Sequence, residues 1–207
     1  QINKNNKILI KKNLKINSKF QVYNSIKKIK DLEINYFFIT IKLKDYTQSL
    51  INKINPLISH KTAVIPPCTN IPLWWINNFY KKEIKQKKKE YFDTRNIIGM
   101  TMWLSAAVNR PGNVIVRHIQ RGYPLKEIDK KMKKSAFILR MAFESTSKSP
   151  KVNNIYSELY TKSLNALAFN LTAIYFNQNN SELKKNQDAV QMIRRIMIEG
   201  EKVMNIL

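Results

Sequence analysis

Turn-forming residues are scarce in this chain, and their scarcity limits what it can fold into. Its 207 residues contain only 4 glycines and 7 prolines. A protein built from many short strands needs frequent tight turns, which glycine and proline usually supply. The sequence therefore predicts a mainly α fold, in which a helical bundle carries a short extended β-ribbon arm and an extra C-terminal helix.

Several long segments have apolar residues at helical spacing. The predicted helices run over residues 46–57, 97–108, 125–143, 152–176 and 182–207. Segment 97–108 is almost entirely apolar, so it is the clearest prediction of a buried helix. Ser181 is the expected N-cap of the last helix, because its hydroxyl can accept a hydrogen bond from an exposed backbone N–H group.

Prolines exclude a helix between residues 58 and 76, where Pro66, Pro67 and Pro72 lie among β-branched and aromatic residues. This composition favours an extended arm or an edge hairpin. The predicted organisation has three parts, a basic N-terminal arm (1–19), a helical core (20–176) and a C-terminal helical extension (177–207). Within the core lie the arm (58–76) and two insertions (77–92 and 113–130).

The chain is strongly basic, with 37 Lys and Arg residues against 14 Asp and Glu residues and a formal net charge of +23. Such an excess favours a polyanionic partner, either nucleic acid or an anionic membrane surface. Abundant lysine, isoleucine and asparagine indicate an AT-rich genome, so lysine content alone says little. Arg110, Arg117 and Arg121 are more informative, because a guanidinium group can contact phosphate in a bidentate way.

No motif in the sequence indicates catalysis. His60, His118 and Cys68 are the only histidines and cysteine, and their spacing matches neither a metal site nor a nucleophilic pair. Glycine-rich phosphate loops, HExxH and GxSxG are all absent. The sequence therefore predicts a protein that is not an enzyme and has no metal or cofactor. No apolar run is long enough to span a bilayer, and the first residue, Gln1, leaves open whether a targeting segment precedes it.

Four segments occur in an informative order. They are LIKKNLKINSKFQVY (9–23), DYTQSLINKINPLI (45–58), RNIIGMTMWLSAAVNR (95–110) and KVNNIYSELYTKSLNALAF (151–169). In pattern and order they resemble the core motifs of the bacterial and organellar small-subunit ribosomal protein seven family. The proline-rich segment falls where that family has its β-ribbon arm. One departure is that the family's Gly-Lys-Lys is Asn13, Leu14 and Lys15 here.

This resemblance implies a structural constituent of the small ribosomal subunit that binds the 3′ major (head) domain of small-subunit rRNA. The implied partners are small-subunit rRNA, neighbouring small-subunit ribosomal proteins and mRNA near the exit site, with no integral membrane contact. The implied location is the ribosome of the mitochondrial matrix or of another AT-rich organelle.

Under this hypothesis, basic side chains of the N-terminal arm, the helices and the insertions bind RNA phosphates. These RNA-binding residues are Lys7, Lys11, Lys12, Lys15, Lys19, Lys61, Arg95, Arg110, Arg117, Arg121, Lys130, Lys131, Lys133, Lys134, Arg140, Lys151 and Lys162.

Two other functions agree with the charge. One is an accessory basic subunit of a mitochondrial inner-membrane respiratory or ATP-synthase complex, with its cationic faces against anionic lipid and acidic subunits. The other is an architectural DNA-binding protein, although no groove-reading helix motif favours it.

Overall fold

Short strands, together with helices, form the framework of the protein. The computed structural model describes residues 8–10, 14–16, 21–67, 94–110, 113–145 and 147–204. The strands are β1 (Ile8–Ile10), β2 (Leu14–Ile16), β3 (Tyr36–Phe38), β4 (Ala63–Ile65), β5 (Ile98–Met100), β6 (Trp103–Arg110), β7 (Asn113–Gly122) and β8 (Leu125–Glu127). The α-helices are α1 (Gln48–Ile54), α2 (Lys133–Glu144), α3 (Ile155–Phe176), α4 (Asn180–Leu183) and α5 (Gln187–Met204).

A β-α-β unit begins the first layer of strands. Strands β3 and β4 are parallel, with Tyr36 opposite Ala63, and α1 lies between them in the chain, as a parallel pair requires. Ile97, just before β5, forms a parallel bridge with Val64 of β4, and β8 pairs with β5 in the antiparallel direction. The order β3-β4-β5-β8 therefore places the carboxyl ends of three parallel strands at one edge.

Helices cover this layer on both faces. Val64 packs in a cluster that includes Ile51 of α1 and Leu159 of α3. Its neighbour Ile65 packs in a second cluster that includes Leu139 of α2. Because successive residues of a strand point to opposite faces, β4 is buried along its whole length, which is typical of a parallel strand between helical layers. The layer architecture is therefore α/β.

Strands β6 and β7 form a long antiparallel ribbon that runs from Trp103 opposite Gly122 to Arg110 opposite Asn113. Strands β1 and β2 extend its sheet in the order β2-β1-β7-β6. The register of the ribbon shifts at three places, and such bulges increase the twist of a strand pair. The end of the ribbon at Trp103 follows directly from β5, so it lies next to the carboxyl edge of the parallel strands.

The helices α3 and α5 approach each other closely at Gly200. A Cβ atom at this position would lie 2.2 Å from Cδ1 of Leu164 on α3. Glycine inside a helix costs about 0.5–1 kcal/mol relative to alanine, and the close approach of the two helices explains its presence here. Helix α5 thus packs against α3 as part of the same helical layer.

Local signals fix the ends of α3 and α4. The side chain of Asn154 accepts hydrogen bonds from the backbone N–H groups at the start of α3, and Asn177 ends that helix in the left-handed conformation. Asn179 and Glu182 form a capping box at the start of α4. The prediction that Ser181 is an N-cap is therefore wrong. Asn179 is the cap, and it accepts a hydrogen bond from the backbone N–H of Ser181.

The predicted mainly α bundle is also wrong. Segment 97–108, the clearest predicted buried helix, forms strand β5 and most of β6. The predicted insertion 113–130 contains β7 and β8. Strands buried on both faces are apolar at successive positions, so their sequence does not differ in periodicity from a buried helix. Within the predicted arm 58–76, the described residues end at 67 and place β4 between β3 and β5.

Three predicted helices are confirmed, although each observed helix is shorter than predicted. Helix α1 with the 3-10 turn Asn55–Leu57 falls within 46–57, α3 falls within 152–176, and α5 falls within 182–207. The predicted helix 125–143 is helical only in its second part, because β8 and a 3-10 turn precede α2. Within the described ranges, no helix has the length and apolar content needed to cross a membrane.

Replacing Tyr46 by Phe is expected to lower the free energy of unfolding by about 1–2 kcal/mol. The Tyr46 hydroxyl donates a 2.9 Å hydrogen bond to the carbonyl oxygen of Ile39, and both residues are buried. The variant would leave that carbonyl without this donor. Urea denaturation measures the effect, with Tyr175→Phe as the control because Tyr175 is 73% exposed. Equal stability of the two variants would contradict the prediction.

Candidate functional site

The carboxyl ends of β3, β4 and β5 define the candidate site. In open α/β sheets, ligands bind in the crevice outside these ends. Met102 lies two residues beyond β5, and the backbone N–H of Thr101 donates a 3.0 Å hydrogen bond to the carbonyl oxygen of Pro124, just before β8. Because β8 is antiparallel to β5, its amino end and the residues before it reach the same edge.

Helix α3 brings a cation to this edge. The Nζ atom of Lys162 donates a hydrogen bond to the carbonyl oxygen of Met102 and lies 5.4 Å from the centre of the Trp103 ring. The residue is half-buried. An ammonium group over an indole ring is attracted by the negative face of the ring. Lys162 is therefore held at the strand ends, in contrast to a lysine that extends into solvent.

Two polar atoms beside Met102 have unused hydrogen-bonding capacity. Thr101 is fully buried, and its Oγ1 atom has no hydrogen-bond partner among the described residues. The same holds for the buried Nε1 atom of Trp103. Buried polar groups are nearly always hydrogen-bonded, so these two neighbouring atoms could take a partner that the described residues do not supply.

An ion pair joins the ribbon to α3 one helical turn before Lys162. A guanidinium nitrogen of Arg121 on β7 lies 2.8 Å from a carboxylate oxygen of Glu158. The Glu158 side chain is 15% exposed and that of Arg121 is 48% exposed, so the carboxylate is much the better shielded of the two. This pair fixes α3 against the end of the ribbon and helps to place Lys162.

The segment after α2 closes the same edge. Lys148 accepts a 2.8 Å hydrogen bond from the backbone N–H of Tyr123, and the Ser149 hydroxyl donates 2.7 Å to the Tyr123 carbonyl. The Tyr123 ring stacks on Phe143 at 4.7 Å. Burial raises the pKa of Tyr123 above its ordinary value of 10.0. The neutral phenol therefore contributes stability that is present below pH 10 and is lost as the pH rises through the raised pKa.

The structure separates most of the predicted RNA-binding residues. Arg110 and Arg121 lie at opposite ends of the ribbon, and Arg117 is four residues from Arg121, which is about 14 Å along a strand. The three arginines thus do not form one compact site. Lys162 is the predicted site residue that the structure places at the strand ends.

The remaining predicted residues have varied surroundings. Lys131 donates a 2.6 Å hydrogen bond to Asn96, and Arg140 pairs with Glu144 at 2.6 Å. Exposed side chains are found at Lys61, Arg95, Arg110, Arg117, Lys130, Lys133, Lys134 and Lys151. Lys15 belongs to β2, whereas Lys7, Lys11, Lys12 and Lys19 lie outside the described residues. Nothing in these positions tests RNA binding, so the assignment of these residues stays a prediction.

Solved structures of dehydrogenases and reductases are similar to this fold. D-mandelate dehydrogenase with NADH matches with a TM-score of 0.66 and 20% identity, over 84% of this chain and 54% of that chain. A 2-dehydropantoate 2-reductase from Geobacter metallireducens GS-15 has a TM-score of 0.64 and 16% identity, over 94% of this chain and 60% of that chain. A ketopantoate reductase from Ralstonia eutropha JMP134 has a TM-score of 0.59 and 15% identity, over 88% and 54%.

At these identities the similarity shows a shared fold. The chain spans between half and three-fifths of the length of these three proteins. No protein-family model matches the sequence, and no curated protein is similar to it in sequence. The chain thus shares its fold with parts of these dehydrogenases and reductases.

These neighbours overturn the resemblance to the ribosomal protein seven family. The motif RNIIGMTMWLSAAVNR, which resembles a helix of that family, contains β5 and β6 here. The role as a ribosomal constituent is therefore wrong, as are the rRNA, mRNA and ribosomal-protein partners. The alternative role as an inner-membrane complex subunit has no support from these neighbours. The prediction that the protein is not an enzyme fails as well, because its structural neighbours are enzymes. The matrix location is untested.

Sequence reasoning missed the environment of Lys162. It identified this lysine only as one of many cations and gave no role to Thr101, Met102 or Trp103. The sequence feature that could have located this site is the apolar run that starts at Ile97. Such a run is compatible with two successive strands as well as with one helix. Interpreted as strands, the run would have placed Met102 at a strand end.

Proposed function

We propose that the protein is an oxidoreductase that acts at carbon 2 of 2-oxo or 2-hydroxy acids. The observation that carries this proposal is the ammonium group of Lys162, held at the carboxyl edge of the parallel strands by Met102 and Trp103. D-mandelate is a 2-hydroxy acid and 2-dehydropantoate is a 2-oxo acid, and the structural neighbours are named for these two compounds. The shared fold supports a related substrate class.

Lys162 supplies the chemistry that such a reaction needs from the protein. Reduction of a 2-oxo acid places negative charge on the oxygen at carbon 2. An ammonium group positioned beforehand at this oxygen stabilises that charge and can donate a proton to it. In the opposite direction, the neutral amine accepts the proton of the 2-hydroxyl group. The Trp103 ring beneath Nζ limits where the lysine can move, which keeps its donor near the strand ends.

The candidate site lies where a nicotinamide dinucleotide would bind in this class of fold. The carboxyl edge of three parallel strands is where such cofactors bind in this class of fold, and the cofactor would supply the hydride. Its pyrophosphate is usually held by a glycine-rich turn between a strand and a helix. The four glycines of the sequence, Gly99, Gly112, Gly122 and Gly200, do not form that pattern.

The proposal is tested by ligand binding and by turnover. The protein is titrated with anilino(oxo)acetate, the compound found with NADH in a D-mandelate dehydrogenase structure, and binding is measured by calorimetry. Oxidation of NADH and of NADPH is then followed with 2-dehydropantoate and with the 2-oxo acid of mandelate. We expect saturable binding and turnover that depends on the 2-oxo group.

The matched control compounds are the corresponding acids without an oxygen at carbon 2, which should neither bind comparably nor support turnover. The control variant is Lys151→Met, since Lys151 is exposed and lies before α3. It should bind like the unmodified protein. The proposal would be overturned if acids with and without an oxygen at carbon 2 bound with equal affinity and neither NADH nor NADPH was oxidised.

A further inference from the structure

We propose that the outer face of α2 is a docking surface for an anionic lipid bilayer. We define this outer face as five residues of α2 and one residue of the 3-10 turn Lys130–Met132 that precedes it: Lys133, Lys134, Phe137, Ile138, Met141 and Lys130. The proposal rests on exposure and charge in α2 and does not depend on the oxidoreductase function. It also differs from membership of a membrane complex, because the contact is with lipid itself.

Helix α2 is apolar on two sides. Its inner side packs Ala136 and Leu139 into the core against β4 and β5. On the opposite side, Phe137, Ile138 and Met141 are 57%, 48% and 45% exposed. A soluble surface helix normally has a polar outer side, and a helix that is apolar all round is expected to be covered. The exposed apolar side chains of the outer side are therefore available to a partner.

The exposed apolar residues form one patch. Phe137 and Met141 are four positions apart, as are Lys134 and Ile138, so each pair lies one turn apart on the same side of the helix. Lys133 is four positions before Phe137 and continues the patch towards the start of α2. The result is a surface about three turns long, with lysines at one end and large apolar side chains at the other.

The charge of this face is not neutralised by its surroundings. Lys130, Lys133 and Lys134 are exposed, and none of them forms an ion pair with the described residues. The acidic residue at the end of the helix, Glu144, is paired with Arg140 at 2.6 Å. An incoming surface therefore meets uncompensated positive charge beside exposed apolar groups.

The positive charge of this face favours an anionic bilayer as the partner over a second copy of this chain. A second copy of this chain would bring another net charge of +23 to the contact, and like charges of this size repel. An anionic bilayer offers phosphate headgroups to the lysines and acyl chains to the apolar side chains. Lysines beside phenylalanine and aliphatic residues on one helix face are typical of helices that lie in the membrane interface.

Vesicle sedimentation tests the proposal with the full chain. Vesicles of phosphatidylcholine alone are compared with vesicles containing 30% phosphatidylglycerol, at roughly 0.1 M and 0.5 M salt. We expect binding to the anionic vesicles only. The variant Phe137→Ser/Ile138→Ser/Met141→Ser, which keeps the net charge, should lower the partition coefficient by about tenfold or more. Lys133→Gln/Lys134→Gln should lower it by roughly tenfold to thirtyfold at the lower salt concentration.

The matched control is Leu171→Ser/Ile174→Ser/Tyr175→Ser, because these α3 residues are 46%, 77% and 73% exposed. It removes three exposed apolar side chains elsewhere and should bind vesicles like the unmodified protein. If the α2 serine variant also binds normally, net charge alone drives binding and the proposal fails. It fails as well if sedimentation velocity without vesicles shows a dimer that the α2 variant abolishes. Thermal melting confirms that each variant is folded.

Discussion

Lys162→Met is expected to lower kcat for the reduction of a 2-oxo acid by about 10²- to 10⁴-fold. The substitution keeps an unbranched side chain of similar length, but it removes the donor that Met102 and Trp103 hold at the strand ends. The transition state carries more negative charge on the substrate oxygen than the ground state does. The loss is therefore expected mainly in kcat and less in KM.

Two variants separate chemistry from structure. Lys162→Arg keeps a positive charge but changes the shape of the donor, so it should recover only part of the rate. Lys151→Met removes a lysine from the exposed surface and should leave kcat unchanged. Melting temperatures of all three proteins show whether each is folded. A Lys162→Met protein that is folded and as active as the unmodified one would exclude Lys162 from the chemistry, whatever reaction the protein performs.

The helices could be predicted where burial is one-sided. In α1, Ile51 and Ile54 are buried while Asn52 and Lys53 between them are exposed, and this alternation has the helical period. In contrast, Ile97, Ile98 and Met100 are all buried because helices cover both sides of β5. A segment buried on every side has no period, so its sequence did not distinguish a strand from a helix.

The candidate site could be predicted only in part, because it depends on contacts between distant segments. Lys162 and Met102 are 60 positions apart in the chain, and no local pattern around either residue indicates the other. The sequence shows that Lys162 is charged, but it is one of thirty lysines and nothing local distinguishes it from the others. The tertiary fold gives this one lysine a neighbouring carbonyl and an aromatic ring, and these contacts distinguish it from solvent-exposed lysines such as Lys151.

Gly122 occupies a position that other residues fit poorly, and it lies opposite Trp103 at the end of the ribbon. Its φ angle is +70°, in the left-handed region that costs other residues about 1–2 kcal/mol. A Cβ atom there would lie 2.1 Å from the carbonyl oxygen of Lys148 and 2.8 Å from its carbonyl carbon. These are backbone atoms, so a rotamer change cannot relieve the clash.

Gly122→Ala is therefore expected to lower the free energy of unfolding by about 2–4 kcal/mol, as the sum of conformational strain and overpacking. Urea denaturation measures it. Asn177→Ala is the matched control, because Asn177 is also left-handed, with a φ of 49°, but is exposed. It should cost only about 1 kcal/mol. Equal losses in the two variants would mean that strain alone matters and that Lys148 moves freely. A larger loss at Gly122 would show that the segment after α2 is fixed against the ribbon beside Lys162.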